Sequence, residues 1–452
     1  MFVDTQVTPQ KVHQILKKHL LADGYEMVLD LEKSEGLYIH DAKDNDRYLD
    51  FFSFFASNPL GMNHPRMAND AFIQKLGKTA VNKPSNSDVY TEEMAEFVDI
   101  FDRVGIPEYL PHTFFISGGA LAVENALKVA FDWKVQKNFE KGYDEEKGHK
   151  VLHFENAFHG RTGYTMSLTN TDPTKTKYFP KFDWPRVINP VMSYPETPER
   201  IAQTEAQEQK AIAQAEDFFE RYPDEIACII LEPIQGEGGD NHFRHDFHKQ
   251  LRLLADKHEA LLIYDEVQTG VAMTGKFWAH EHYVKPDILA FGKKAQVCGI
   301  LASRRVDEVE NNVFNVSSRI NSTWGGNLVD MVRFGRILEV IEEENLVQNA
   351  ATVGAYLQKQ IINLGERYDA VTNPRGKGLF CAIDLPSREL RNALKKKCLE
   401  NKLLILGCGE RTIRFRPPLT VQKQHIDEGI NIIEKSLQSV LDQHSTTNGR
   451  TS

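Results

Sequence analysis

The stretch LLIYDEVQTG at residues 261–270, with DILAFGKK at residues 287–294 after it, decides the fold. Each stretch contains a short apolar run, and the runs lead to Asp265 in the first and to Lys293 in the second. Short apolar runs that alternate with amphipathic stretches are typical of buried strands in a mainly parallel sheet. Parallel α/β sheets bind ligands beyond the carboxyl ends of their strands. We therefore expect Asp265 and Lys293 to face one site.

An acid and a lysine at the ends of two buried strands fit pyridoxal phosphate better than other cofactors. The lysine can bind the aldehyde covalently, and the acid can keep the ring nitrogen protonated so that the ring withdraws electrons. Lys293 is therefore the predicted cofactor-bearing residue, and Asp265 is the predicted partner of the ring nitrogen. Lys294 stands directly after Lys293 and is the alternative carrier.

The pattern around these two runs predicts an α/β fold. From about residue 110 to residue 305, apolar runs alternate with helical patterns, as expected for a covered, mainly parallel sheet. Residues 197–221 predict a surface helix, and residues 134–150 predict an exposed excursion. The predicted strands are residues 113–116, 150–154, 227–231, 261–264 and 288–291.

The pattern changes after about residue 330, which predicts a smaller C-terminal domain. A helix at residues 331–344 leads to a section in which helices mix with short strands near residues 378–384 and 412–415. The predicted division is an N-terminal segment that packs with the small domain (1–60), a large cofactor-binding domain (61–331) and a small α+β domain (332–452).

A glycine-rich loop, FFISGGALAVENALK at residues 114–128, joins a strand to a helix. Glycines let a backbone approach an anion closely, and a helix N-terminus offers free N–H groups and a positive dipole end. The loop at residues 117–120 is therefore a predicted phosphate seat. A plain strand-to-helix turn without a ligand can have the same sequence pattern, because a short glycine motif is a weak signal.

Four further motifs carry side chains that suit a cofactor or a substrate. In ENAFHGRTGYT (155–165), Phe158 can stack on a ring and Arg161 can bind a carboxylate, although composition alone favours a buried Phe and a surface Arg without such roles. CIILEPIQGEGGD (228–240) places Glu232 and Glu237 after a buried strand. RINSTWGGN (319–327) is a polar loop. TIRFRPPL (412–419) carries Arg414 and Arg416 at alternate positions of a predicted strand. Alternate side chains of a strand point the same way, and one of two such arginines often only faces water.

Composition limits the partners. The formal net charge of −10 weighs against nucleic acid, which needs a basic face. The 5 cysteines are scattered without a CxxC pair, which predicts neither a zinc site nor disulfides. No signal-peptide pattern or membrane-length apolar run is visible, so we expect a cytoplasmic protein without a membrane partner. His242, His245 and His248 could share a helical face, but no carboxylate or cysteine completes a metal set, and no metal is predicted.

In combination, these motifs resemble those of the class III, or ω-, aminotransferases of fold-type I. EPIQGEGG, YDEVQTG, GK, STWGGN and RFRPPL stand in the family's order, and the resemblance covers most of the chain. Two departures from the common family pattern, SGGALAVENALK and FGKKAQVCG, resemble the lysine ε-aminotransferase branch, as do FHGRTGYT and NSTWGGN. The resemblance implies a pyridoxal phosphate enzyme with a large domain and a smaller C-terminal domain.

The resemblance also implies roles for single residues. The family places its cofactor-bearing lysine directly after Gly, which favours Lys293 over Lys294. Thr323 resembles a residue that reaches the phosphate of the other subunit, which implies a homodimer. The remaining implied cofactor contacts are Gly119 and Ala120 for the phosphate, Phe158 for stacking, Asp265 for the ring nitrogen and Gln268 for the ring oxygen.

The implied reaction moves the ε-amino group of L-lysine to 2-oxoglutarate in two half-reactions. Arg161 would bind the distant α-carboxylate of lysine, and Arg414 would bind the carboxylate next to the keto group of 2-oxoglutarate. Glu237 would pair with Arg414 while lysine occupies the site, and Asn321 is a further implied substrate contact. Another ω-aminotransferase, acting on 4-aminobutyrate or ornithine, an aminomutase, and a non-catalytic relative of the same fold remain alternatives.

Overall fold

A computed structural model describes residues 7–448, with side chains through residue 443. The helices are α1 (Val12–Leu16), α2 (Ser53–Ala56), α3 (Asp70–Val81), α4 (Glu92–Val104), α5 (Gly119–Glu140), α6 (Gly163–Leu168), α7 (Pro198–Arg221), α8 (His245–Lys257), α9 (Leu328–Glu343), α10 (Leu346–Arg367), α11 (Arg388–Glu400) and α12 (Lys423–Asn448). Short 3₁₀ turns lie at Pro9–Lys11, Pro173–Lys175, Ala279–His282, Lys293–Ala295 and Arg304–Glu308.

The strands form three sheets in the described part of the chain. They are β1 (Tyr38–His40), β2 (Arg47–Asp50), β3 (His112–Ile116), β4 (Lys150–Phe154), β5 (Arg186–Val187), β6 (Ile226–Leu231), β7 (Leu261–Asp265), β8 (Ile288–Phe291), β9 (Cys298–Ala302), β10 (Thr372–Lys377), β11 (Phe380–Asp384), β12 (Leu403–Leu404), β13 (Leu406–Cys408) and β14 (Thr412–Phe415). Every strand predicted between residues 113 and 291 is present, with ends that agree to within one residue.

The large sheet is mainly parallel, as predicted. Its strand order is β3-β9-β8-β7-β6-β4-β5. β9 runs antiparallel to both of its neighbours, while the pairs from β8 to β5 are all parallel. The carboxyl ends of β6, β7 and β8 therefore meet at one edge, where Glu232, Asp265 and Lys293 follow their strands.

Both faces of this sheet are covered, because the apolar residues of each strand alternate between two cores. In β6, Cys228 and Ile230 pack with α5, while Ile229 and Leu231 pack with α7 and α8. Fully burying one side chain of this size contributes about 1.5–3 kcal/mol, so a strand that is apolar on both faces is strongly fixed between the helix layers. A rigid sheet is what holds the strand-end side chains in place.

The C-terminal part carries its own antiparallel sheet, in the order β10-β11-β14-β13. The short strands predicted near residues 378–384 and at residues 412–415 are thus confirmed. β12 also pairs with β2 of the N-terminal segment in the sheet β1-β2-β12, so the two ends of the chain share one sheet. The domain boundaries at residues 60 and 331 remain a prediction.

The predicted exposed excursion at residues 134–150 is wrong in its first part. α5 continues to Glu140, and the side chain of Lys134 is fully buried. Its Nζ donates a 2.8 Å hydrogen bond to the carbonyl of Glu259 and lies 3.4 Å from the Asp224 carboxylate. Charged composition suggested solvent, but a lysine can be buried when an acid and a carbonyl receive its protons. The predicted surface helix is present as α7, capped by Thr197.

Within residues 7–448, no helix is long and apolar enough to cross a membrane.

Candidate active site

A cavity of about 510 Å³ lies where the carboxyl ends of β6, β7 and β8 meet the N-terminus of α5. A volume of this size suits a small ligand or a cofactor. Eight of the eleven residues predicted for the site line it: Gly119, Ala120, Phe158, Arg161, Glu237, Asp265, Gln268 and Lys293. Its other lining residues are Phe55, His159, Gly160, Lys175, Glu232 and Val267.

Asp265 is held by two donors at the end of β7. The backbone N–H of Val267 donates to Oδ1 at 3.0 Å, and His159 Nδ1 lies 2.8 Å from Oδ2. An ionised carboxylate can only accept, so His159 is the donor in this pair. Both side chains are buried, so the carboxylate has a fixed orientation toward the cavity. The sequence reasoning missed His159, although it stands beside Phe158 in the FHGRT motif.

Lys293 and Lys294 point to different places. Lys293 lines the cavity, on a backbone with φ of 51°, a left-handed conformation that costs a non-glycine residue on the order of 1–3 kcal/mol and is found mostly at functional sites. Lys294 is buried elsewhere, and its Nζ donates to the carbonyl of Gln268 at 2.8 Å and to that of Ala56 at 3.3 Å. The geometry therefore favours Lys293 as the reactive amine.

The environment of Lys293 favours a neutral amine. Burial lowers the pKa of its ammonium group, and the charge of Arg414 lowers the pKa further, against the opposing effect of Asp265 and Glu237. A lysine with a lowered pKa is a better nucleophile and a better base near neutral pH. This is the property that the predicted role requires.

The N-terminus of α5 has the geometry expected of an anion seat, and its role as a phosphate seat stays a prediction. Gly118 has φ of 114°, which turns the chain so that the helix starts at Gly119 with its first N–H groups unpaired within the helix. A Cβ at Gly160 would lie 2.4 Å from the Cβ of Ala120, and one at Gly119 would lie 2.8 Å from Val267. These glycines keep the loop close-packed around free N–H groups, which fits a phosphate.

Glu232 supports the loop that carries Phe158. Its Oε1 accepts the backbone N–H of Phe158 at 3.0 Å, and its Oε2 accepts that of Gly236 at 2.9 Å. Burial raises the pKa of Glu232 to about 7, with a further rise from the charge of Asp265 and an opposing effect of His159. Glu232 thus fixes the Phe158 ring at the cavity wall.

Glu237 bridges two cations. Its Oε2 lies 2.8 Å from an Arg414 nitrogen, and its Oε1 lies 2.7 Å from Lys175 Nζ. Burial would raise the pKa of Glu237, but Arg414 and Lys175 outweigh burial and hold the pKa below its ordinary value. Arg414 is 1% exposed and also donates to Gln268 Oε1 at 3.3 Å. The predicted Arg414–Glu237 pair is present, while Lys175 was not predicted, because it comes from a segment without a periodic pattern.

Arg416 corrects the expectation that one of the two arginines faces water. Its side chain is fully buried, 2.6 Å from Asp240 Oδ1, and its guanidinium lies 3.4 Å from the centre of the Phe380 ring. It also donates to Gln268 Oε1 at 3.1 Å. Asp240 and the aromatic face replace the water that a buried guanidinium loses.

Arg161 lines the cavity and is exposed. It takes part in none of the ion pairs found among the described residues. An unpaired guanidinium on a cavity wall is available to a carboxylate. This contrasts with Arg414, whose carboxylate partner is already in place.

Phe55 is a third cavity residue that the sequence reasoning missed. It belongs to the turn at Ser53–Ala56, where φ runs from 38° to 63° over four consecutive residues without a glycine. Such a left-handed turn has no sequence signal of its own, because tertiary contacts impose it.

Asn321 and Thr323 do not line the cavity in the single chain. Both are exposed, on a loop that packs against residues 83–87 through a 2.6 Å hydrogen bond from Ser87 Oγ to the carbonyl of Ser322. The roles predicted for Asn321 and Thr323 therefore need a second subunit.

The three histidines are engaged in separate contacts. His248 Nδ1 lies 2.7 Å from the Tyr264 hydroxyl, His245 Nε2 lies 3.2 Å from the carbonyl of Tyr283, and His242 is buried before α8 begins. Within the described residues, no group of three or more histidines, cysteines or acids is arranged to hold a metal ion.

Comparison with known proteins shows which proteins the chain is similar to. The family model for class-III aminotransferases matches residues 20–437. The L-lysine-epsilon aminotransferase of Mycobacterium tuberculosis strain H37Rv is 52% identical over 436 residues, 96% of each chain. A solved structure of the M. tuberculosis lysine aminotransferase superposes with a TM-score of 0.94 at 51% identity, covering 96% of this chain and 100% of that one. The human mitochondrial 4-aminobutyrate aminotransferase is 30% identical over 96% of this chain and 90% of its own length.

Proposed function

The chain belongs to the class-III aminotransferases, which are pyridoxal-phosphate-dependent enzymes, and from that premise we propose that it transfers the ε-amino group of L-lysine to 2-oxoglutarate. The products are 2-aminoadipate 6-semialdehyde and L-glutamate, and the two substrates react in turn at the same cavity. Identity of 52% over 96% of the chain to a lysine enzyme, against 30% to a 4-aminobutyrate enzyme, supports lysine as the amine donor.

One observation carries the proposal: Arg161 lines the cavity and Arg414 lies behind its lining residues Glu237 and Gln268, and of these two arginines only Arg414 has a carboxylate partner among the described residues. Arg414 is buried and paired with Glu237 at 2.8 Å, while Arg161 lies free on the wall. L-Lysine presents its ε-amine to the reacting centre with its carboxylate far away, which fits Arg161. 2-Oxoglutarate has a carboxylate next to its keto carbon, which fits Arg414 once Glu237 has withdrawn.

The residues of the cavity fit the cofactor. When bound, pyridoxal phosphate supplies an aldehyde that takes up the substrate amine and a ring that withdraws electrons. The N–H groups of Gly119 and Ala120 would hold its phosphate, Phe158 would stack on its ring, Gln268 would lie near the ring oxygen, and Asp265 would hold the ring-nitrogen proton. His159, which donates to Asp265, keeps that carboxylate aimed in one direction.

Lys293 would both carry the cofactor and move the proton. Its lowered pKa leaves a larger neutral fraction at Nζ, so it can take a proton from the substrate carbon and return it at the neighbouring position. Arg414 contributes to this lowering and therefore supports the base as well as the keto acid. Lys294, tied to two backbone carbonyls, has no such freedom.

The assembly proposed for the active enzyme is a cytoplasmic homodimer in which Thr323 reaches the partner's phosphate and Asn321 contacts substrate. The exposure of Asn321, Thr323 and Trp324 on one loop supports a surface that a second copy covers. We also propose domain boundaries at residues 60 and 331, so that the strand that carries Arg414 belongs to the small domain.

An amine-donor panel tests the proposal. The purified enzyme, supplied with 2-oxoglutarate, should form glutamate fastest with L-lysine and more slowly with 4-aminobutyrate and L-ornithine. If glutamate formed faster with 4-aminobutyrate or L-ornithine, that amine would replace lysine as the proposed donor. Isomerisation of an amine without any keto acid would indicate an aminomutase, and a cofactor-bound enzyme that accepts no donor would indicate a non-catalytic relative.

A further inference from the structure

Lys175 occupies a position in the cavity that the reaction described above leaves without a role. It ends the 3₁₀ turn Pro173–Lys175, in an irregular segment between α6 and β5. Its Nζ lies 2.7 Å from Glu237 Oε1, 3.2 Å from Thr171 Oγ1 and 5.1 Å from the centre of the Phe158 ring. Its side chain is 16% exposed, so the contact with Glu237 is largely shielded from water.

The position of Lys175 matters because Glu237 must leave Arg414 for the keto acid. A carboxylate that loses its partner in a largely buried place is strongly disfavoured. Glu237 binds the two cations through different oxygens, Oε2 for Arg414 and Oε1 for Lys175. Rotation away from Arg414 can therefore keep the contact with Lys175.

The charges of the cavity in the two half-reactions agree with a contact between Glu237 and Lys175 that persists. With lysine bound, the substrate carboxylate lies on Arg161. The Glu237 carboxylate then lies between Arg414 and Lys175. Asp265 and Glu232 have their own hydrogen-bond donors. With 2-oxoglutarate bound, the two carboxylates of the keto acid and that of Glu237 make three more, and Arg161, Lys175 and Arg414 supply one cation for each. Without Lys175, one of the three carboxylates would have no cation.

We propose that Lys175 is a positioning residue for the keto-acid half-reaction, which retains the Glu237 carboxylate when Glu237 releases Arg414. The inference rests on the proposed function, because it assumes that a 2-keto acid binds at Arg414. Lys175 acts through Glu237 and does not itself touch the keto acid.

The test uses Lys175→Met in the holoenzyme, with Lys177→Met as the matched control. Lys177 lies two residues away in the same segment, is exposed and faces Tyr178. In single-turnover experiments starting from the pyridoxamine phosphate form, Lys175→Met should raise the 2-oxoglutarate concentration for half-maximal rate by about tenfold or more, the scale of one lost charge-assisted contact. The maximal rate and the lysine half-reaction should change by less than about twofold, and Lys175→Arg should restore most of the loss.

Two comparisons separate action through Glu237 from direct contact with the substrate. Pyruvate has no distal carboxylate, so Lys175→Met should weaken pyruvate and 2-oxoglutarate by the same factor. In a Glu237→Gln background, where no carboxylate needs retaining, Lys175→Met should have little further effect. The proposal would be overturned if Lys175→Met weakened the binding of 2-oxoglutarate but not that of pyruvate, or if it weakened keto-acid binding just as much in the Glu237→Gln background. Either result would mean that Lys175 binds the keto acid itself.

The pH profile gives a signature that a merely structural role would not produce. In Lys175→Met, the pKa of Glu237 should rise because one of its two cations is gone, so lowering the pH should protonate Glu237 and improve 2-oxoglutarate binding. Unchanged or tighter keto-acid binding in Lys175→Met would refute the retaining role. The keto-acid half-reaction needs no lysine, so the test stays valid even if the proposed amine donor is wrong. Calorimetry with glutarate, which cannot react, should show the same loss of affinity in Lys175→Met.

Discussion

Replacing Arg414 by Met should separate the two half-reactions. Arg414 is fully buried in β14, and its partners in the cavity are Glu237 at 2.8 Å and Gln268 at 3.3 Å. Methionine keeps much of the length of the side chain and fills the buried space without a charge. In the lysine half-reaction Arg414 contacts no substrate carboxylate, and Glu237 keeps Lys175 as a partner at 2.7 Å after the substitution. We therefore expect the lysine concentration for half-maximal rate to change by less than about threefold, a limit below the loss of one full charge-assisted hydrogen bond.

The keto-acid half-reaction should lose much more. A charge-assisted, two-pronged contact between an arginine and a carboxylate is worth about 1.5–3 kcal/mol, or about tenfold to a hundredfold in apparent affinity. Part of the loss should fall on the rate, because Arg414 also lowers the pKa of Lys293. Its removal should shift the rising limb of the rate profile of Lys293 to higher pH.

Stopped-flow absorbance of the bound cofactor measures each half-reaction in isolation. The wild-type enzyme is mixed with L-lysine, or its pyridoxamine phosphate form with 2-oxoglutarate, and Arg414→Met is compared with Arg161→Met. Arg161→Met should show the opposite pattern and slow the lysine half-reaction. The half-reaction with pyruvate, which has no distal carboxylate, should keep its rate. Equal losses in both half-reactions of Arg414→Met would refute the two-arginine reading of the cavity.

Three further substitutions or treatments test single residues of the site. Borohydride treatment of the holoenzyme followed by peptide mapping should place the reduced cofactor on Lys293, and label on Lys294 would reassign the carrier. Asp265→Asn should keep the fold and bind cofactor but lose about tenfold to a hundredfold in turnover, because a neutral amide lacks the 1.5–3 kcal/mol of a charged hydrogen bond to the ring proton; near-normal turnover with cofactor bound would contradict its role. The pKa of Glu232 is raised to about 7, so the folded state binds more protons than the unfolded state between the ordinary glutamate pKa and that value, and stability should fall as pH rises through this window. Thermal unfolding of Glu232→Gln against pH should show a smaller decrease than the wild type, because burial also raises the pKa of Asp50 and of Glu208 and these two groups still contribute. An unchanged profile would count against the raised pKa of Glu232.

The sequence predicted the strands that build the site because their signal is local. The central strands of the large sheet are buried on both faces, so nearly all of their residues are apolar and each run stands out without any knowledge of its neighbours. The residues that follow these runs, Glu232, Asp265 and Lys293, come together because parallel strands end at the same edge. Their convergence could therefore be predicted from order along the chain alone.

The residues that were missed depend on contacts that local patterns do not encode. Lys175 reaches Glu237 from an irregular segment, and nothing in its neighbourhood distinguishes it from the surface lysine at position 177. Arg416 was expected near water because an isolated arginine prefers it, while Asp240, far away in the sequence, makes burial acceptable. His159 had a usable signal, since a histidine next to a cavity aromatic is a natural partner for a strand-end acid.

The most direct test of the proposed function follows the two nitrogens of lysine separately. The enzyme is incubated with 2-oxoglutarate and with L-lysine that carries ¹⁵N at either the α- or the ε-position, and the glutamate formed is examined by mass spectrometry. Label should appear in glutamate from the ε-labelled substrate alone, together with 2-aminoadipate 6-semialdehyde or the six-membered imine to which it cyclises. Transfer of the α-label, or no transfer from lysine by a cofactor-bound enzyme, would contradict the account.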